Sequence, residues 1–349
     1  MTIAGVASAF PNNKYDQRIL LAALQRHWGP RVDNPVFMER LQARVGVETR
    51  HLALPMEEYY GLKTWGKANN HWIEVATDLG QKALCGALSR AGFAPGDLGA
   101  LFFVSITGIS SPSIDARLIN RMSLPVNLKR IPIFGLGCVA GAAGISRAAD
   151  YVRAYPKQAA AVLAVELCSL TLQQDDHSVA NLISSGLFGD GAGAVVVSGS
   201  EREADGPEIL ATRSVFYPNS EHVMGWDISE KGFRIVLSRE VPEVVEQHLA
   251  SDVDAFLRDE GLSRADIGSW ILHTGGPRVL EATAAALNLP EEALAASWEC
   301  LRRTGNLSSA SVLLVLEEVM MRRRPAAGTY SLLAAMGPGF CSELVLLRW

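Results

Sequence analysis

The sequence predicts a layered α/β protein made of two similar halves, with helices covering β-sheets. An internal repeat carries this prediction, because residues 91–105 and 260–274 place Gly, a large apolar residue and the triplet Asp-apolar-Gly at matching positions. Each copy follows a predicted amphipathic helix, at 73–90 or 244–259, and ends in an apolar run of strand length.

The parallel between the halves extends past the repeat. Gly92 and Gly261 stand where helix C-caps are expected, since glycine readily adopts the left-handed backbone that ends a helix. In both halves a glycine-containing turn then leads into a helix, and that helix leads to an apolar strand. The predicted segments are helices 139–153 and 307–322 and strands 159–165 and 330–335.

The repeating pattern is interrupted at 198–207, where Gly, Ser and charged residues replace the apolar runs. We therefore predict two domains, at 1–203 and 204–349. If the halves pack about a pseudo-two-fold axis, the N-termini of both central helices point into one shared cleft.

Composition indicates a globular protein and argues against several functions. Hydrophobic residues make up 48% and charged residues 20% of the 349 residues, enough for a large core. A net charge of -5 argues against nucleic-acid binding, and we expect neither a secretory signal nor a membrane span. Five scattered cysteines fit neither a disulfide framework nor a zinc site, so we expect free thiols, no metal and a cytoplasmic protein.

Cys138 is the strongest candidate for a nucleophile. A glycine turn precedes it, and a predicted helix rich in Gly and Ala follows it. The unpaired N–H groups and the macrodipole at a helix N-terminus favour the thiolate, which is the reactive form of cysteine. A cysteine in an apolar run is by itself more often a core residue; the turn and the helix start favour a catalytic role here.

Two residues of the second half complete a candidate catalytic set. His273 ends a predicted strand and opens into a glycine turn, so it can project into a cleft and exchange a proton with a thiol. Asn306 stands before a helix, at the position that Cys138 occupies in the first half. Its amide can donate to a developing oxyanion, but asparagine is also a common helix N-cap and a lone histidine is often structural.

At these residues the chain resembles the type III polyketide synthases, the chalcone-synthase-like branch of the thiolase superfamily. The resemblance covers nearly the whole chain, from about Ile3 to Trp349. It rests on motifs that are weak singly and specific together. They are Gly135-Leu-Gly-Cys138, Leu187-Phe-Gly-Asp-Gly-Ala192, His273-Thr-Gly-Gly-Pro277, Gly305-Asn-Leu-Ser-Ser-Ala310 and Gly337-Pro-Gly339.

The resemblance implies a thiolase-like fold with layers in the order αβαβα and a catalytic triad at Cys138, His273 and Asn306. It implies an acyltransferase that loads an acyl group from coenzyme A onto Cys138 and extends it by decarboxylative condensation with malonyl-CoA. The chain then cyclises, with no bound cofactor and no carrier protein. The resemblance also implies a homodimer, with the loop at Ser110 and Ser111 near the partner's cavity.

The resemblance further assigns a substrate pocket. The gatekeeping phenylalanine beside the nucleophile falls on Phe188, and a second gatekeeping position falls on Ile235. Ser184 and Ser308 are further pocket positions. Ile106 stands where the naphthalene-forming bacterial branch carries a second cysteine, which puts that product in doubt.

The expected starter is a fatty acyl group, giving an alkylpyrone or alkylresorcinol. Segments 107–117 and 166–173 resemble the bacterial synthases of those products, and small gates at Ser184 and Ile235 fit a long alkyl tail. Such positions also vary with packing, and pocket volume sets starter choice only weakly.

Coenzyme A carries phosphates, so a basic rim is expected where its tunnel opens. Arg278, just after the glycine turn of Gly275 and Gly276, is the best placed candidate. Arg40 and Arg44 are weaker, because solvated charge on a helix face is the usual explanation.

Three alternatives stay open at this point. A ketoacyl-ACP synthase III-like enzyme shares the fold and the residue types of the triad, but it usually follows its histidine with Gln-Ala-Asn and depends on an acyl carrier protein. A synthase primed by malonyl-CoA itself would form a tetrahydroxynaphthalene-type product. A non-catalytic thiolase-like scaffold would be expected to have lost at least one of the three chemical residues.

Overall fold

The computed structural model describes residues 1–28 and 44–349. The strands in these segments are β1 (Thr2–Ala9), β2 (Asn13–Asp16), β3 (Thr49–Leu52), β4 (Leu98–Val104), β5 (Lys129–Ile133), β6 (Ala159–Leu167), β7 (Asp190–Ser198), β8 (Glu208–Phe216), β9 (Met224–Ser229), β10 (Gly232–Leu237), β11 (Ile267–Leu272), β12 (Tyr330–Gly337) and β13 (Cys341–Arg348). The α-helices are α1 (Gln17–Trp28), α2 (Trp65–Ala91), α3 (Ile114–Met122), α4 (Ala140–Ala154), α5 (Val179–Leu187), α6 (Val241–Asp259), α7 (Pro277–Leu287), α8 (Ala295–Thr304) and α9 (Ser311–Arg322).

A mixed sheet of nine strands, in the order β11-β12-β13-β8-β1-β7-β6-β4-β5, carries the fold. The order is nearly symmetric about its centre. Strands β1, β7, β6 and β4 on one side correspond to β8, β13, β12 and β11 on the other, and each side repeats the same parallel and antiparallel pairings. The duplication seen in the sequence is thus a pseudo-two-fold relation in the structure.

The helices and the sheet halves form the predicted αβαβα layers. Helices α4 and α9 lie at the centre, where their buried residues share one core with strands from both halves. Helix α2 covers the outer face of the first half, and α6 and α7 cover that of the second. Because α4 and α9 are enclosed on both sides, residues at their N-termini lie deep inside the molecule.

The helix ends follow the local sequence. Gly92 and Gly261 both adopt left-handed backbone, with φ of 69° and 72°, as expected of C-caps. Helix α2 begins at Trp65 rather than at residue 73, because Thr64 caps it through its side chain and Ala68 and Trp72 extend its buried face.

Helix α9 begins at Ser311, after a 3-10 turn at Ser308–Ala310, rather than at residue 307. The positive φ of Ser308, 47°, explains the delayed start, since left-handed backbone is not helical. The domain boundary predicted between residues 203 and 204 falls in the connection from β7 to β8 and stays a prediction. Within the described residues no helix is both long enough and apolar enough to cross a bilayer.

Candidate active site

Cys138 lies in a 3-10 turn, Gly137–Val139, that leads directly into α4. The turn needs Gly137, because its φ of +54° is left-handed and an added Cβ would lie 2.8 Å from Cδ of Pro338. The structure therefore places the thiol at the start of a central helix, and only 5% of Cys138 is exposed.

Burial sets the charge of Cys138. Desolvation raises the pKa of the thiol to about 12; the contact between Sγ and Ser308 Oγ, at 3.7 Å, acts in the opposite direction, and the carboxylate of Glu166 adds to the rise. The resting residue is a neutral thiol. It therefore needs a proton acceptor before it can attack a thioester.

His273 can supply that acceptor. It follows β11, and its backbone N–H donates to the Ala334 carbonyl at 3.0 Å, which continues the pairing of β11 with β12. Neither ring nitrogen has a hydrogen-bond partner among the described residues, and the ring is buried. Burial lowers the pKa of the imidazole to about 4, so one nitrogen can accept a proton while the other donates.

Burial favours the neutral form of both Cys138 and His273. Desolvation disfavours either charge alone. A proton passed from Cys138 to His273 creates two opposite charges, and these attract strongly in a poorly solvated site.

Asn306 is held by several hydrogen bonds. Its backbone bridges to the strand-like segment of Phe188, and its Oδ1 accepts from the Ser308 N–H at 2.8 Å and from Ser311 Oγ at 3.3 Å. Its Nδ2 donates to the Gly275 carbonyl at 3.3 Å. Ala310, and not Asn306, is the N-cap of α9, and the hydrogen bonds of Asn306 keep the donor side of its amide beside the turn that follows His273.

One cavity brings the three residues together. Cys138, His273 and Asn306 line it with Phe188 and Met224; we call it the triad cavity. The pseudo-two-fold relation explains the meeting, since Cys138 precedes α4 and Asn306 precedes α9, and both helices begin in the same layer.

The predicted pocket residues lie in two further cavities. The inner cavity, lined by Cys138, Ile106, Phe188, Ile235 and Ser308 among others, adjoins the nucleophile. A further cavity, which we call the deep chamber, adjoins the inner cavity and is lined by Phe188, Ile235 and Ser184 among others. All five predicted pocket positions therefore face a cavity, while their effect on the substrate stays a prediction.

The predicted coenzyme A residues are less well placed. Gly275 lines the triad cavity, and Gly276 precedes α7 with a positive φ of 131°. Arg44 and Arg278 are exposed and line none of the three cavities. Arg40 lies outside the described residues, so the basic rim stays a prediction.

Glu166 is a buried carboxylate that acts electrostatically on Cys138 and that the sequence did not single out as a site residue. Its carboxylate is fully buried and accepts from Thr107 Oγ1 at 2.8 Å, from the Ile106 N–H at 3.2 Å and from Ser309. Burial raises its pKa to about 7. The sequence did contain a signal for Glu166, because a carboxylate inside the apolar run of β6 costs free energy to bury. Buried carboxylates with shifted pKa values are common at functional sites.

The neck between the inner cavity and the deep chamber was predicted only in part, because the sequence indicated Phe188 and Ile235 but not Cys168 or Trp226. Four residues line both spaces: Cys168, Phe188, Trp226 and Ile235. Trp226 comes from β9 and Ile235 from its hairpin partner β10, directly opposite in register. No sequence pattern joins Trp226 to Cys138, because only the tertiary fold brings the hairpin to the cavity.

Comparison with known proteins identifies the family. The chalcone and stilbene synthase N-terminal domain matches residues 39–201, and the C-terminal domain matches residues 208–349. A 1,3,6,8-tetrahydroxynaphthalene synthase from Streptomyces peucetius subsp. caesius is 49% identical over 100% of this chain and 93% of its own. A putative chalcone synthase from Bacillus subtilis is 38% identical over 87% of this chain and 86% of its own.

A solved structure agrees with these matches. The 1,3,6,8-tetrahydroxynaphthalene synthase of Streptomyces coelicolor, a bacterial type III polyketide synthase, superposes with a TM-score of 0.96 at 32% identity, covering 100% of this chain and 99% of the other. The matches favour a polyketide synthase over a ketoacyl-ACP synthase III-like enzyme. The chain belongs to the chalcone and stilbene synthase family, the type III polyketide synthases, which condense acyl units from coenzyme A thioesters.

Proposed function

We propose that Cys138 carries the acyl chain, that His273 moves the proton and that Asn306 holds the developing oxyanion. The observation that carries the proposal is their convergence on the triad cavity. His273 takes the thiol proton while sulfur attacks the starter thioester. The C–S bond to coenzyme A then breaks, and His273 returns the proton to the departing coenzyme A thiolate.

Chain extension uses the same residues. The carboxylate of malonyl-CoA leaves as carbon dioxide, and its bonding electrons move onto the thioester oxygen. An N–H of His273 and the amide of Asn306 stabilise that enolate. Its carbon attacks the acyl group on Cys138, the thiolate of Cys138 departs, and the lengthened chain on coenzyme A is ready to be loaded again.

The starter we propose is a fatty acyl group, and the product an alkylpyrone or alkylresorcinol. The support is the deep chamber, which is lined largely by apolar side chains. It shares the four residues of the neck with the inner cavity, and Cys138 lines that inner cavity. The apolar side chains of the deep chamber include Leu20, Ala23, Leu24, Leu52, Met56 and Leu172. Burying an alkyl tail against such a wall is favourable by about 0.8 kcal/mol for each methylene.

A synthase primed by malonyl-CoA alone is the second candidate. The relative from Streptomyces peucetius supports it, since that enzyme is a tetrahydroxynaphthalene synthase and is similar over the whole chain. A naphthalene skeleton can be assembled from two-carbon units without an alkyl starter. Ile106 beside Cys138 stands where we expect that branch to carry cysteine, which favours the first candidate.

Binding and assembly complete the proposal. Arg278 and Arg44, both exposed, are the candidates for the phosphates of coenzyme A. A homodimer is proposed on the family resemblance alone.

Mass spectrometry of the products tests the proposal. Purified enzyme is supplied with malonyl-CoA and acyl-CoA starters of increasing length, with Cys138→Ala as the blank. Pyrones or resorcinols that increase with long starters support the fatty acyl candidate. Products from malonyl-CoA alone support the second candidate, and no product from any starter contradicts both.

A further inference from the structure

Arg50 is a buried cation that the proposed chemistry does not use. It lies on β3, only 4% of it is exposed, and it lines the deep chamber beside Phe188. A guanidinium in a largely apolar wall is costly unless its donors are satisfied.

Two of its three nitrogens are satisfied by protein oxygens. Nε donates to Gln17 Oε1 at 3.0 Å, and Nη1 donates to the Phe188 carbonyl at 2.6 Å. Gln17 is itself fixed, because its Nε2 donates to the Gly186 carbonyl at 2.8 Å. These contacts fix two nitrogens of the guanidinium, one of them against the backbone of Phe188, a residue of the neck.

The third nitrogen donates to no described residue. Within residues 1–28 and 44–349, Nη2 has no hydrogen-bond partner and Arg50 forms no salt bridge. Asp190 is near enough to act electrostatically, but its carboxylate is taken by Ser169 and the Ala53 N–H. Burial lowers the pKa of Arg50 only to about 10, so the side chain stays charged at neutral pH.

We propose that Arg50 Nη2 binds a keto oxygen of the growing chain and so helps to set the number of extensions. The inference rests on the proposed function. A hydrocarbon tail has no acceptor for this donor, whereas each condensation adds one carbonyl oxygen to the chain. Arg50 lines the deep chamber and donates through Nη1 to the carbonyl of Phe188, so its guanidinium lies beside the neck, where a lengthening chain would enter the chamber.

The test compares Arg50→Met with Gln17→Met. The first variant removes the donor, while the second removes the Nε partner and the Gly186 contact but leaves Nη2. With octanoyl-CoA and malonyl-CoA, acylation of Cys138 and the ratio of tetraketide to triketide products are measured by mass spectrometry. We expect Arg50→Met to become acylated but to lower that ratio by about tenfold, the worth of one charged hydrogen bond, and Gln17→Met to keep it.

An unchanged ratio in Arg50→Met, or an equal fall in Gln17→Met, overturns the inference. If circular dichroism shows Arg50→Met to be unfolded, Arg50→Lys replaces it. Lysine keeps the charge but lacks the planar fork that serves both Phe188 and the chain, so the ratio must still fall. Absence of any product from the unmodified enzyme would instead contradict the proposed function.

Discussion

The starts of α4 and α9 occupy equivalent places in the two halves, yet their side chains are held very differently. Cys138, at the first, has one weak contact from its sulfur, to Ser308 Oγ at 3.7 Å. Asn306, at the second, has its amide fixed by hydrogen bonds to Gly275, Ser308 and Ser311. Duplication brought two helix starts together, and divergence left one with a movable nucleophile and the other with a rigid donor.

This division suits acyl transfer. The sulfur must move when it attacks, carries and releases a chain, whereas a donor to an oxyanion works best when it is already oriented. Substitutions that alter the nucleophile, the donor or their surroundings one at a time should therefore have different effects.

Removing the nucleophile should abolish chemistry. Cys138→Ala should reduce both acylation by acyl-CoA and product formation to background, because no other residue would carry the chain. The matched control is Cys300→Ala, a buried cysteine of α8 outside the site, which should still be acylated. Acylation of Cys138→Ala at the unmodified rate would contradict the assignment.

Replacing Asn306 separates its two roles. Asn306→Ala loses the donor and the acceptor for Ser308 and Ser311, whereas Asn306→Asp keeps the acceptor and loses the donor. Both should lower kcat for malonyl-CoA decarboxylation by about 10²–10³-fold, the usual worth of one oxyanion donor. If Asn306→Asp decarboxylates normally, Asn306 has only a structural role.

Opening the neck should change which chains are accepted. Trp226→Ala removes the largest of the four side chains between the inner cavity and the deep chamber. We expect kcat/KM for long starters to rise by about tenfold relative to short ones, the scale on which hydrophobic pockets discriminate. A parallel change for all starters would show that Trp226 only supports the hairpin.

The buried imidazole predicts a pH dependence of stability. The pKa of His273 is about 4 in the folded protein, below the usual 6.5, so the unfolded chain binds more protons between these values. The stabilisation is present above pH 6.5 and is lost as the pH falls towards 4. In urea unfolding, the free energy of unfolding should fall between pH 6.5 and pH 4 by up to about 3 kcal/mol more for the enzyme than for His273→Gln.

The pKa of Glu166 is shifted in the opposite sense and cancels in that comparison, because both proteins contain it. Equal pH profiles for the enzyme and His273→Gln would mean that His273 is not held neutral.

The smallest effect concerns two positions that did not diverge. Gly92 and Gly261 end equivalent helices with φ of 69° and 72°, and an added Cβ would contact nothing within 4 Å at either. Each alanine substitution should therefore lower the free energy of unfolding by only about 1 kcal/mol, the cost of placing a residue with a Cβ in left-handed backbone. Clearly unequal losses in urea unfolding would show that the halves differ here as well.

The parts of the fold that depend on local sequence could be predicted. The repeat, the two C-caps and the central helices follow from glycines and apolar periodicity, and together they place Cys138 and Asn306 at matching helix starts. About the first two turns of α2 were missed because Trp65, Ala68 and Trp72 stand among polar residues, where the apolar pattern is weak.

The surroundings of the site could not be predicted in the same way. Trp226 reaches the neck from the hairpin of β9 and β10, and Arg50 reaches the deep chamber from β3, far from Trp226 in the sequence. Their role depends on tertiary distance, which no spacing in the sequence encodes. Glu166 was visible as a charge in a strand, but its hydrogen-bond partners come from separate segments.

Locating the acyl group tests the central claim most directly. The enzyme is incubated with an acyl-CoA starter without malonyl-CoA, digested, and its peptides are sequenced by mass spectrometry. We predict one acylated residue, Cys138, with the adduct absent from the Cys138→Ala variant. An adduct on Cys168, which lines the same inner cavity, or no adduct at all, would contradict the account.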